Sequence, residues 1–292
     1  MSTSILGAGS MNFLPAFAAG SLSGLPLAFF LCAAFVLGTV LGSCIACLGE
    51  RISHGESLCT RSRCPSCHKP LKPWHMIPIL SILILKGRCA FCGRHIPLGS
   101  TFHEAAMGLI CTIFLAETVQ YGLLLQQVLS LYVLLFFLCL AAEVDRRTGL
   151  LPDSLLLPAL LAAICHAAIS HAAQASSGLA FSGALLSGAL ISAFAWGASA
   201  ALLFLLLRFG WIRLYGTEAI GTGDACLAFI LGLVTKDSVF LAVAIASLLA
   251  MLAVLHKQCR KAFYVRELAA KGAIPFGPFL VAGGIAVMIF CR

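Results

Sequence analysis

Charge is what this sequence has least of. Only 10% of its 292 residues are charged and 61% are apolar, against roughly 25% and 45–50% in soluble domains, so a soluble globular protein is excluded. No charged residue precedes Glu50, and ten lie between Gly49 and Ser100. The pattern describes a membrane protein carrying one polar insert. A secretory signal places basic residues ahead of its apolar core. Here the first basic residue is Arg51, so the first apolar segment is expected to stay in the mature protein. Among the charged residues aspartate is scarcest: Asp145, Asp153, Asp224 and Asp237 are the complete set.

The formal net charge is +8. In an apolar chain Lys and Arg report which loops face the cytoplasm, so the charge reads as topology and no nucleic-acid partner is expected. A helix needs about 20 apolar residues to cross ~30 Å of hydrocarbon. That rule predicts an all-α polytopic protein of about eight spans: Leu27 to Leu48, Phe102 to Val119, Leu123 to Ala142, Leu155 to Ser170, Leu179 to Leu207, Ile220 to Val234, Val239 to Leu255 and Ile274 to Phe290. With eight crossings the alternate loops 49–101, 143–154, 208–219 and 256–273 share one side. They hold 17 of the 19 Lys and Arg, and only Lys236 and Arg292 fall on the other. Both termini are therefore expected outside and the insert in the cytoplasm. The chain divides into an N-terminal segment with the first span (1–48), the insert (49–101) and a seven-helix membrane domain (102–292). Between Asp224 and Lys236 only about 16 Å of helix is available, so the sixth span is expected to start upstream and carry Gly221, Gly223 and Asp224 below the membrane surface.

Cys64-Pro-Ser-Cys67 and Cys89-Ala-Phe-Cys92 form two C-x-x-C pairs 21 residues apart, a spacing by which two knuckles supply four thiolates to a structural zinc ion. Four cysteine ligands leave no open coordination position, so the metal would fold the insert and take no part in catalysis. Two disulfides or reduced free thiols are the alternatives, and a reducing compartment disfavours the disulfides. Cys44 and Cys47 are explained by their helix, and His75, His95 and His103 show no ligand pattern, leaving them packing or surface roles.

Asp145 follows the third span and Asp224 ends Gly221-Thr222-Gly223-Asp224 at the start of the sixth. Carboxylates at membrane depth need a partner, a cavity or a function. Two held within a few ångströms share a proton, so one can take a proton from water while the acid form polarises a carbonyl, as in aspartic proteases. Gly221 and Gly223 leave the backbone beside Asp224 open to a substrate strand. Asp145 beside Arg146 and Arg147 also reads as a solvated loop charge, Asp153 after Pro152 reads as a helix N-cap, and spacing alone does not bring Asp145 to Asp224.

Taken in order, several motifs resemble the bacterial type IV prepilin peptidases, members of the membrane Gly-x-Gly-Asp aspartic proteases, over most of the chain from Gly42 onward. They are Gly42-Ser43 with Arg51, the two C-x-x-C pairs, Trp74 with Ile77-Pro78-Ile79-Leu80-Ser81, Lys86-Gly87-Arg88-Cys89, Glu104, Asp145 ahead of Pro152-Asp153, Glu218 to Asp224, and Ile274-Pro275-Phe276-Gly277-Pro278-Phe279. The resemblance implies Asp145 and Asp224 as the catalytic pair. The substrate it implies is the basic leader of a prepilin or a type II secretion pseudopilin, cut at the cytoplasmic face. It also implies N-methylation of the new terminus with S-adenosyl-L-methionine, an activity associated with the insert. The chain departs from the family pattern at Cys44-Ile45-Ala46-Cys47-Leu48, where an Asn is replaced by Ala46, at His75-Met76 in place of Glu-Asn, at Gly99-Ser100-Thr101 in place of Arg-Tyr-Pro, and at Cys226 in place of Lys. The first three remove polar groups or anchors around the insert, so peptidase activity is expected and methyl transfer stays open. A transporter and a zinc-stabilised secretion scaffold are the readings from other classes. Membrane lipid is the expected surrounding partner, and oligomeric state is not legible.

Overall fold

A computed structural model describes residues 27–291, except 59–61, 65, 66, 68, 73, 75, 76, 96–98, 122–124, 175–187, 217, 219 and 261–274. The expected spans become helices α1 (Leu27–His54), α3 (Gly99–Tyr121), α4 (Leu125–Thr148), α5 (Asp153–Gln174), α6 (Gly188–Tyr215), α7 (Thr222–Thr235), α8 (Val239–Arg260) and α9 (Gly277–Phe290), with a single turn, α2 (Leu80–Ile84), in the insert. Among the described residues there is no strand, only the isolated bridges Arg63–Pro70 and Arg88–His95. The chain is a multi-pass, all-helical membrane protein.

The helices depart from the expected bounds in ways that matter for the site. α4 continues six residues past Ala142, so Asp145 lies inside its last turn and is not a loop charge. Asp153 opens α5 as its first residue, while the Pro152 carbonyl accepts from Leu155 and Leu156. Gly221 is the N-cap of α7, with Gly223 and Asp224 in the first turn. The starts expected at Leu123, Leu179 and Ile274, residues 1–26 and His75 fall outside the described residues. By length and composition six runs suffice to cross a membrane, with residues 222–256 counted as one; length does not establish eight. That run is bent at the 3-10 turn Lys236–Ser238. Lys236 shares a cavity with Cys291 at the end of α9, whereas Ala242 meets Gly283 in the middle of α9, so the chain doubles back as a helical hairpin.

α4 is the most buried of the long helices; Leu134, Leu135 and Leu138 are wholly enclosed, whereas Leu129 and Val133 on its outer face are half exposed. Such outward-facing apolar side chains suit lipid. The main packing pairs are α1 with α3 and α4, α4 with α5, α5 with α7, α6 with α7, and α9 with α4, α7 and α8. Lipid tails are as apolar as leucine, so close backbone contact between small residues holds such helices together. Gly38 and Gly42, one turn apart on α1, are the clearest case. A methyl on Gly38 would lie 2.5 Å from the Met107 carbonyl, and one on Gly42 would overlap the His103 carbonyl. Gly210 on α6 faces open space. Gly42→Ala is expected to destabilise by about 2 kcal/mol and Gly210→Ala to be neutral or slightly stabilising, read from thermal unfolding in detergent; equal effects would contradict this crossing.

Candidate active site

Asp145 is 4% exposed. α4 ends just beyond it because Gly149, at φ +70°, adopts the left-handed conformation of a helix C-cap and donates its N–H to the Asp145 carbonyl at 2.7 Å. The side chain turns to α9: Asp145 Oδ2 accepts the Gly277 N–H at 2.9 Å. A side chain at 277 could not coexist with this bond, since its Cβ would lie 2.7 Å from the same oxygen. Gly277 is the first residue of α9, so its amide is one that the helix itself leaves without a partner.

Asp224 is held in a parallel way. Its Oδ2 accepts the Gly221 N–H at 3.3 Å, the acidic half of a capping box at the start of α7, where the helix dipole also favours negative charge. Gly223 lets α7 approach Leu151, whose Cβ would be 2.7 Å from any added methyl. The preceding loop is tied down by Arg208 on α6, which donates to the Ile220 carbonyl at 2.7 Å and pairs with Glu218 at 2.9 Å. The two carboxylates, 79 residues apart in sequence, lie near enough for the Asp224 charge to act on Asp145. Both stand at one end of the bundle, unlike the midplane acids of a transporter.

Glu143, one turn before the end of α4, is 2% exposed. It accepts Arg146 Nε and Nη2 at 2.7 and 2.6 Å, Arg147 Nε at 2.5 Å, and faces His103 Nε2 at 3.0 Å. His103 is therefore an ion-pair residue, which corrects its expected packing or surface role. Its neighbour Glu104 is also buried and accepts the Ile79 N–H at 2.7 Å. That bond holds Ile79 at φ +60° and anchors the insert on α3, at the same end of the bundle as the aspartates.

In the insert the ligand atoms of Cys64, Cys67, Cys89 and Cys92 all lie within 4.8 Å of one another. Cys64 and Cys92 sulfurs are 3.9 Å apart, near the about 3.8 Å edge of a tetrahedron with 2.3 Å metal–sulfur bonds and far beyond a disulfide. Each pair is built alike: Cys64 N–H donates to the Lys69 carbonyl and Cys89 N–H to the Arg94 carbonyl. The two isolated bridges, Arg63 with Pro70 and Arg88 with His95, each join the residue before a pair to the one seven places on. This donor set fits a metal ion. A hydrogen bond from the Arg94 backbone favours the Cys92 thiolate, yet desolvation and hydrogen bonds with Cys89, Cys67 and Cys64 push it up to about 11. Cys44 and Cys47 stay outside it on α1.

The bacterial peptidase A24 N-terminal domain matches residues 36–118, and the type IV leader peptidase family matches residues 132–255. The chain belongs to the type IV leader peptidase family. It is 31% identical over 311 residues to a prepilin leader peptidase/N-methyltransferase of Burkholderia pseudomallei (strain K96243), covering 94% of this chain and 90% of that protein. A protein of the same name from Bacillus subtilis (strain 168) is 30% identical over 265 residues, covering 88% and 92%. No solved structure matches the chain.

Within this family member, sequence reading missed Glu143, Arg208 and His103 as parts of the site's frame. The available signal was a rare acid, Glu143, three and four residues before two arginines on one helix. Glu143→Gln is expected to lower the unfolding temperature in detergent, because it removes the one buried carboxylate shared by His103, Arg146 and Arg147; the partly exposed Arg147→Gln, which leaves two of these contacts in place, should cost less, under about 1 kcal/mol.

Proposed function

We propose that this protein is an aspartic endopeptidase that removes the basic leader from prepilins or pseudopilins at the cytoplasmic membrane face. The observation that carries this reading is the pair Asp145 and Asp224, brought from α4 and α7 to one end of the bundle with each carboxylate steadied by an N–H at the start of a helix. Family membership and the relatives' names support the substrate. In the reaction one carboxylate takes a proton from water, whose oxygen attacks the scissile carbonyl as the other carboxyl polarises it. The C–N bond then breaks as a proton passes to the leaving amine. Gly221, exposed beside Asp224, leaves the backbone there open to an extended leader, whereas Gly223 is taken up by its contact with Leu151. The bias of Lys and Arg toward this end supports a cytoplasmic orientation in the inner membrane. It also supports the division into the segment 1–48, the insert 49–101 and the membrane domain 102–292.

With a synthetic prepilin, Asp145→Asn and Asp224→Asn should each reduce cleavage by on the order of 10³ or more while still inserting and folding. Wild-type activity in either variant would overturn the pair. Adding S-adenosyl-L-methionine and weighing the product N-terminus separates cleavage alone from cleavage plus one methyl.

The metal reading is Zn2+ held by Cys64, Cys67, Cys89 and Cys92, a structural ion that folds the insert. Zinc must displace thiol protons, so affinity falls as pH is lowered. Purified protein should carry one zinc per chain by elemental analysis, lose it progressively on acidification, and lose it at neutral pH in Cys89→Ser. Retention of full zinc by that variant would contradict the assignment.

A further inference from the structure

At the end of the bundle opposite the aspartates lies a cavity of about 450 Å³ lined by Gln127 of α4, His166 and His171 of α5, and Lys236 and Asp237 of the 3-10 turn, among apolar neighbours. Three of the seven buried polar or charged side chains among the described residues, Gln127, His166 and His171, belong to it. The leader-peptidase reading uses none of these groups. From Gln127 to Asp145 the helix rises about 27 Å, close to the ~30 Å hydrocarbon thickness, so the cavity sits at the opposite headgroup boundary.

Its charges are unusual for that position. Lys236 is one of two basic residues on this side, and its backbone is held at φ +52° and ψ −128°, a conformation that L side chains rarely adopt and that persists where surrounding structure enforces it. Its charge reaches His171. Among the described residues neither Lys236 nor Asp237 has an ion-pair partner, although they are adjacent and line the same space. A simple anion meets the Asp237 carboxylate there, and a simple cation meets the Lys236 ammonium. A small group carrying both signs satisfies both, with His171 on the same wall of the cavity. The polar zwitterion abundant at this depth is a phospholipid headgroup with a phosphate diester and an ammonium two carbons away.

We propose that this cavity is a binding site for a phosphoethanolamine headgroup of the surrounding lipid, with Lys236 taking the phosphate and Asp237 the ammonium. Full-length protein is reconstituted in vesicles of phosphatidylethanolamine and phosphatidylglycerol, extracted in mild detergent and weighed by native mass spectrometry. One phosphatidylethanolamine per chain should be retained. Its occupancy should drop roughly tenfold in the Lys236→Ala/Asp237→Ala variant, and Asp237→Asn should shift retention toward phosphatidylglycerol. Leader cleavage in detergent serves as the folding control, since these residues lie outside the proposed active site. Equal retention by wild type and the double variant, or no retained lipid, would overturn the site. Soluble phosphoethanolamine that binds through Lys236 and Asp237 while no lipid is retained would overturn the lipid source.

Discussion

A carboxylate buried in an apolar bundle needs a hydrogen-bond donor, and nearly every backbone N–H inside such a bundle is already committed to its own helix. The uncommitted amides are those at helix N-termini. α7 and α9, each of 14 residues, rise only about 21 Å and begin beside the end of α4. Asp224 rests on the amide ahead of α7, and Asp145 rests on the first amide of α9. The glycines in these places follow from that constraint. Gly277 has no room for a side chain against Asp145, and Gly223 has none against Leu151.

A second arrangement stabilises the same end from behind. His103 and Glu104 are consecutive on α3 yet serve different neighbours. His103 bonds Glu143 on the helix that carries Asp145, and Glu104 accepts the Ile79 amide of the insert. One turn of α3 thus joins the thiol cluster's module to the aspartate-bearing helix. Glu143 satisfies its carboxylate with two arginines from its own helix, so three charges are carried at the membrane boundary with most of their cost offset locally. α1 is fitted against this turn through Gly42 and against Glu143 through Gly49.

Much of this was legible beforehand because the chain is so apolar. Helical segments announce themselves by length, and the paired C-x-x-C spacing announced the thiol cluster. The upstream start of α7 followed from the few residues between Asp224 and Lys236. Other features were less visible. Asp145 beside Arg146 and Arg147 looks like a solvated loop charge, whereas Glu143 pairs with both arginines within α4 and Asp145 is capped by the Gly277 amide of α9. The tie from Arg208 to Ile220 and Glu218 left no pattern, since one basic residue at a helix end has many uses.

By itself, the sequence determined that the chain is helical and membrane-embedded, which end of the bundle holds its basic residues, and which four cysteines and two aspartates stand out. Those follow from transfer energies and residue counts, which are properties of segments. Only the tertiary structure decided that Asp145 meets Gly277 across 132 positions, that Asp224 comes near it, and that His103 belongs to Glu143. Those contacts depend on which helix faces pack together, and that is set by small-residue crossings between segments far apart in the chain.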